Sequence, residues 1–242
     1  MAQATQLKFD ELNRLFNYRE FFGKMYISKK QMDERIELAE EIELVMLWLF
    51  AYWDVKDDLG ITTQDLKDEA KQKLIPLYER YVKLDDYITT HIDKTVDEII
   101  DSTENHTRPE EDAKREKQAI EGISIKGKGE GESDEGEKEA SNIGYGYWTS
   151  RERAKIISAN EANALKNYTE YREAKISGKT KKRWLTEQDD KVRLTHTLVD
   201  EKTVKIDGLF SVGGSLMRFP KDTMYDPAPE EIVNCRCSCV YE

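Results

Sequence analysis

All three cysteines, one of the three histidines and several carboxylates fall in the last quarter of this 242-residue chain, so any chemistry belongs there. The stretch beginning at Trp184 supplies Asp189, Arg193 and His196, and the chain closes on Asn234-Cys235-Arg236-Cys237 with Cys239 two residues on. A thiolate becomes a useful nucleophile when a base lies beside it, and zinc accepts both imidazole nitrogen and thiolate sulfur. His196, Cys235, Cys237 and Cys239 are therefore the candidates for a metal-assisted hydrolase or a nuclease-like site. Their spacing is weak support, because strong zinc signatures pair Cys-x-x-Cys units and no recognised catalytic motif surrounds these residues. The expectation is no catalytic residue and no cofactor, with zinc as the alternative. A structural reading fits better: a clasp in which Arg236 supplies donors to a carboxylate such as Asp189, Asn234 bridges backbone groups, and the reduced cysteines pack as small hydrophobes.

A second candidate is nucleic-acid binding. Lys179, Lys181, Lys182 and Arg183 lead into Trp184, and Lys191 and Arg193 follow. Cations beside an aromatic ring are one component of a single-strand site, although a solvated basic face is the simpler reading. The three cysteines alternate, which suggests a strand with Cys235, Cys237 and Cys239 on one side. His91 and His106 stand apart from the other candidates and read as surface or boundary residues.

The elements that must position these groups are legible in outline. Apolar residues recur at helical spacing over residues 5 to 24, and Ser28 to Gln31 has the form of a capping box opening a second helix that ends at Leu59-Gly60. A third helical stretch runs from Thr62 or Thr63 to Ile99, and Pro76 predicts a kink or break within it. Three successive amphipathic stretches predict an antiparallel bundle or long helices. Residues 121–146 are rich in glycine and acids, bury almost nothing, lack the calcium-loop order of ligands, and read as a flexible linker. A short charged helix over Glu110 to Gln118 precedes it. Thr149 to Glu152 reads as a second capping box, beginning a helix that should end at Gly178.

Beyond Gly178 the pattern changes. The basic segment leads into a strand, Thr186 is a candidate cap for a helical turn carrying Asp189, Arg193 and His196 on one face, and residues 203–210 and 214–219 read as a hairpin or two strands. Pro229-Glu230-Glu231 starts a further helical turn. The fold class expected is α+β: a helical region over 1–120, the linker over 121–146, and an α+β domain with a small antiparallel sheet over 147–242.

Composition narrows the setting. A net charge of −11 argues against a protein coated in phosphate-binding lysines, yet Arg151 to Arg193 holds 12 basic against 7 acidic residues, so a local anionic partner stays open. Met1 to Leu7 is polar, so no secretory signal is expected. The most apolar run, Leu44 to Trp53, is half the ~20 residues a membrane span needs. No membrane partner is expected, and production in the cytosol is the simplest reading.

Taken in order, Trp184, Asp189, Arg193, His196, Phe210 with a glycine pair, Pro220-Lys221-Asp222, Pro229-Glu230-Glu231 and Asn234-Cys235-Arg236-Cys237 resemble the C-terminal domain of the phage Mu F-like minor head proteins, a tailed-phage head-morphogenesis family. The resemblance covers about residues 150–242. Two positions depart from it, since the family usually has Asp-Gly where this chain has Asp200-Glu201, and Pro-Gly-Asp where it has Pro220-Lys221-Asp222. The resemblance implies a minor capsid protein present in few copies, with the portal and other phage head proteins as partners and, in some members, packaged DNA and its ejection. Its place would be the virion, in the capsid interior or portal region, and the host cytoplasm during assembly or from a prophage. Some relatives carry toxin modules, and with the chain ending at Glu242 none is expected within it.

Overall fold

The computed structural model describes residues 16–107 and 145–242. Most of the first predicted helix, the charged helix over 110–118 and the linker up to residue 144 lie outside the described residues. Helix α1 is Tyr18–Gly23, opened by Asn17, whose side chain accepts from the amides of Arg19 and Glu20. Helix α2 is Lys29–Leu59, with the expected Ser28–Gln31 capping box at its start and Gly60 in the left-handed conformation (φ 66°) at its end. Helix α3, Thr63–Glu79, opens on a reciprocal Thr62–Asp65 box.

The third helical stretch is two helices, α3 and α4 (Asp86–Thr107), and the break lies at residues 80–85 rather than at Pro76. Pro76 sits in the last turn of α3, close enough to the end for the helix to absorb it. Asp85 then offers a new start, its Oδ1 accepting from the Ile88 amide at 3.1 Å.

After the short helix α5 (Tyr145–Trp148), which takes in the last two residues of the expected linker, comes α6, Arg151–Ile176. Its cap is Ser150, accepting from the Arg153 amide, so the start lies one residue later than predicted. With Arg153 at the third position instead of a glutamate or glutamine, the reciprocal half of the capping box is missing.

Ion pairs give the helix directions. Lys67 meets Asp97 and Asp101 while Lys71 meets Asp93, so α3 and α4 run antiparallel. Likewise Lys166 bonds Glu34 and Arg151 bonds Glu43, so α6 runs antiparallel along α2. Leu38, Ile42, Met46, Leu49 and Phe50 of α2 and Ala154, Ala162 and Leu165 of α6 belong to one core cluster that continues to Trp184 and Phe210.

At the centre of the α2–α6 contact lies Arg35, fully buried. Its Nε donates to Asn163 Oδ1 (3.1 Å), Nη2 to Asn167 Oδ1 (3.1 Å) and Glu170 Oε2 (3.2 Å), and Nη1 to Glu170 Oε1 (2.9 Å) and the Gln31 carbonyl (3.3 Å). Every donor of the guanidinium is thereby used.

The C-terminal part carries β1 (Lys181–Leu185), α7 (Leu194–Thr197), β2 (Thr203–Lys205), β3 (Phe210–Val212), β4 (Ser215–Met217), α8 (Pro229–Ile232) and β5 (Ser238–Tyr241). The fold is α+β. β1 is the central strand of a three-stranded antiparallel sheet, between β2 and β5. β3 and β4 form a separate hairpin across Gly213-Gly214. Residues 203–205 therefore pair with β1 and not with the strand that follows them. Only Cys239 lies in a strand, because β5 starts at Ser238.

Both departures from the family pattern fall on left-handed backbone: Glu201 has φ 57° and Lys221 φ 67°. Glycine adopts this conformation without cost, whereas a side chain pays about 1–2 kcal/mol. Lys221 has an offsetting gain, since its buried ammonium donates to Asn160 Oδ1 and to the Ile232 carbonyl, each at 2.5 Å. The exposed Glu201 shows no such gain.

Substitutions at Arg35, Glu201 and Lys221 test these contributions separately. Arg35→Ala leaves Glu170 and two buried amides without their partner and is expected to cost about 3–5 kcal/mol, read as a lower urea midpoint in equilibrium unfolding. Glu201→Gly is expected to gain about 1 kcal/mol, or roughly 2–4 °C in Tm for a chain of this size. Lys221→Gly should lose stability despite the same backbone relief, because its two buried bonds go with it.

Candidate functional site

The sequence candidates meet where α7 lies against the segment leading into β5. His196, on α7, is buried, as are Cys235 and Cys237 on the irregular segment before β5. His196 Nδ1 lies 3.3 Å from Cys237 Sγ and 3.6 Å from Cys235 Sγ. Its other nitrogen, Nε2, lies 3.0 Å from Oε2 of Glu231 on α8, which also accepts from Thr195 Oγ1 at 2.8 Å. A carboxylate only accepts, so Nε2 carries the proton of this bond and Nδ1 faces the sulfurs. Gly213 makes room for the arrangement, since a Cβ there would collide with the Glu231 carboxylate. Trp184 packs edge-on against the His196 ring with centroids 5.9 Å apart, and against Phe210 at 5.2 Å.

The two cysteines titrate in opposite directions. A hydrogen bond from Cys237 holds the Cys235 thiol well below its ordinary range, with His196 adding to the effect against the cost of burial. The same bond and burial push Cys237 up. For His196, burial disfavours the imidazolium, but the bond to Cys235 and its charge outweigh that and raise the pKa. Burial lifts the Glu187 carboxyl to about 7.

Around this centre the expected clasp residues are only partly assembled as a helix-face model would have it. Residues 186–193 are not helical; Thr186 caps nothing, and its amide donates to Asp200 Oδ1 at 2.8 Å. Asp189 does not pair with Arg193. It accepts from Arg236 Nη2 at 2.8 Å, and that bond lowers its pKa. Arg193 donates to the Val233 carbonyl instead. Asn234, left-handed at φ 55°, exchanges bonds with Asn160: its amide donates to Oδ1 (2.7 Å) and its Oδ1 accepts from Nδ2 (3.0 Å). Asp222 is fully buried and holds Arg218 through Nε (2.7 Å) and Nη2 (2.8 Å), just after Pro220, whose carbonyl accepts from Asn167.

Cys239 is separated from the cluster. As a β5 residue opposite Trp184 it is buried elsewhere in the core, and burial pushes its thiol above the ordinary range. The basic segment also divides by strand alternation. Lys179 and Lys181 are exposed and Arg183 is half-buried, but Lys182 and Trp184 point into the core. Lys182 Nζ donates to the Ile206 carbonyl at 2.7 Å, and burial lowers its pKa to about 8. With its aromatic buried, this segment lacks the stacking surface of a single-strand site.

Sequence reasoning missed two groups. Asn160, Asn163, Asn167 and Glu170 recur at three-to-four spacing on one face of α6, a polar stripe that would have revealed a buried network rather than a solvated face. His91 is buried rather than at the surface, its Nε2 2.9 Å from Glu161 Oε2, which also accepts from Tyr78 (2.8 Å) and Thr95 (3.2 Å). This network opens on a cavity of about 500 Å³ between α4, α6 and the segment from Lys221 to Val233. His106 stacks on Trp148 with centroids 3.7 Å apart.

Chemically, the His196 centre is closed. A cavity of about 20 Å³, lined by His196, Cys235, Cys237 and Glu187 among others, adjoins it. That is room for about one water molecule. A thiol so enclosed has no space for a substrate beside it.

Comparison with known proteins places the chain. A family model described as Phage Mu protein F like protein matches residues 93–240, starting inside α4 and so earlier than the motifs alone suggested. The chain is also 36% identical over 95 residues to the NAD(+)--arginine ADP-ribosyltransferase EFV of Enterococcus faecalis, an alignment covering 38% of this chain and 19% of that protein. It thus spans about a fifth of the length of this curated relative. No solved structure matches the chain significantly.

The His91–Glu161 pair carries a pH prediction. For His91, burial disfavours the charged ring but the charge of and bond to Glu161 prevail, raising its pKa above 6.5. Glu161 is lowered below 4.5, His91 outweighing burial. The histidine's contribution is complete below 6.5 and fades as pH rises through its raised pKa. The glutamate's is complete above 4.5 and fades as pH falls. His91→Gln keeps a donor but cannot titrate, so the Tm gap between parent and variant should be widest from pH 4.5 to 6.5 and close on the alkaline side. A gap constant from acid to alkaline pH would contradict the pairing.

Proposed function

The chain belongs to the phage Mu protein F like family, and from that premise we propose that it is a minor head protein acting in head morphogenesis at the portal. The family match from within α4 through most of β5 carries the reading. Membership of this family favours a non-enzymatic role, and the His196 centre leaves room for about one water. We read the stretch shared with the transferase as the head-protein module, with the activity named for that relative lying in the remainder of its length.

Docking to the portal is assigned to α2. Leu44, Tyr52, Val55 and Leu59 are exposed on it at spacings that keep them on one face, with Trp48 stacked on Tyr52 between them. Large apolar side chains in a continuous stripe mark interaction surfaces. Among the described residues no helix is long and apolar enough to cross a membrane, so a protein partner is the occupant proposed for this stripe. Contact with packaged DNA would fall to Lys179, Lys181 and Arg183, the cations left outside the core.

The test is co-assembly. Heads assembled with the parent chain should contain it in few copies and yield it in complex with the portal protein. The double variant Leu44→Ser, Val55→Ser should fold with an unchanged Tm and be incorporated at least tenfold less. Heads that exclude the parent chain would refute the head-protein reading; normal incorporation of the double variant would refute only the docking face.

A further inference from the structure

The His196 centre has the composition and dimensions of a metal site. Zinc binds imidazole nitrogen at about 2.0–2.1 Å and thiolate sulfur at about 2.3 Å, so tetrahedral coordination puts a nitrogen and a sulfur about 3.6 Å apart. His196 Nδ1 stands 3.3 Å from one sulfur and 3.6 Å from the other. The three donor atoms all lie within 4.8 Å of one another, and all three residues are buried. Two soft thiolates with one imidazole favour zinc over the oxygen-seeking magnesium and calcium ions.

The surroundings fit as well as the donors. A histidine that ligates through one nitrogen generally donates its other N–H to a carboxylate, which fixes the ring and raises its basicity. Glu231 takes that place at 3.0 Å from Nε2, and is itself held by Thr195. Next to the three donors lies the water-sized cavity, and on its wall Glu187 Oε1 is buried without a hydrogen-bond partner. A water completing the tetrahedron would fill the cavity and give that oxygen a donor.

We propose that His196 Nδ1, Cys235 Sγ and Cys237 Sγ bind one zinc ion, with a water facing Glu187 in the fourth position. The ion staples the segment before β5 to α7. Each sulfur binds as a thiolate and His196 through an unprotonated Nδ1, so every proton these three atoms carry beforehand is released to solvent on binding. Cys239, in the neighbouring strand, takes no part.

The test uses the full chain purified under reducing conditions, stripped with a chelator and titrated with Zn2+ or Co2+ alone. Elemental analysis after desalting should find one zinc per chain in the parent and in Cys239→Ser, and at least tenfold less in Cys237→Ser. The cobalt-loaded parent should show an intense near-ultraviolet thiolate-to-metal charge-transfer band, which reports the sulfur ligands in the unmutated chain whether or not Cys237→Ser folds. A parent that retains no zinc and gives no such band overturns the proposal. Equal loss of metal from Cys239→Ser and Cys237→Ser would overturn the assignment of ligands. Neither result bears on incorporation into heads, so the site and the head-protein role stand or fall separately.

Discussion

The buried guanidinium of Arg35 is the interaction on which the rest depends. A charge taken fully out of water is tolerable only when its donors are all matched, and here four of the five bonds go to residues of α6, reached only if α2 and α6 lie antiparallel in one register. The same amides then face the other way. Asn163 donates to the Cys235 carbonyl at 3.0 Å, and Asn167 to the Pro220 carbonyl at 3.1 Å and the Cys237 carbonyl at 3.5 Å. One cation in the N-terminal helices thus orients the amides that fix the backbone carrying both cysteines. Helix α6 transmits position from the bundle to the site, and Asn160 extends the relay to Lys221 and Asn234.

Helix boundaries were largely legible because local chemistry decides them. Ser28 with Gln31 and Gly60 mark the two ends of α2 as expected, since caps answer to groups within a turn. Strand pairing was less so. The glycine pair and alternating pattern identify a hairpin, yet nothing local says that Thr203 to Lys205 joins β1, a partner more than twenty residues back. The long helical stretch was misdivided for a related reason: Pro76 is the louder signal, but it falls where α3 was about to end, and Asp85 decides where α4 begins.

At the candidate site, residue types were readable and their phase was not. Alternation put all three cysteines on one face of a strand, whereas the backbone before Ser238 is irregular and only two sulfurs turn toward His196. The basic segment failed in the opposite way: it is a strand, and strand alternation buries Lys182 and Trp184 while exposing their neighbours. Arg236 meets Asp189 as charge complementarity suggests, though Asp189 sits in a loop and its supposed helical partner Arg193 reaches for a carbonyl. The three asparagines of α6 were overlooked because polar residues on a charged helix usually face water.

Two sorts of surface are therefore kept apart in this protein. The His196 centre points inward, with about 20 Å³ beside it, where Gly213 gives way to Glu231 and Glu231 orients His196. The unsatisfied apolar area points outward, along one face of α2, away from the face that holds Arg35 against α6. A partner bound to the outer stripe of α2 would press on the helix whose inner face sets the register of α6. A shift of α2 against α6 would strain the Arg35 bonds and, through Asn163 and Asn167, the backbone of the cysteine segment. On the proposed reading, docking at α2 would therefore be coupled to the C-terminal centre through this one helix pair.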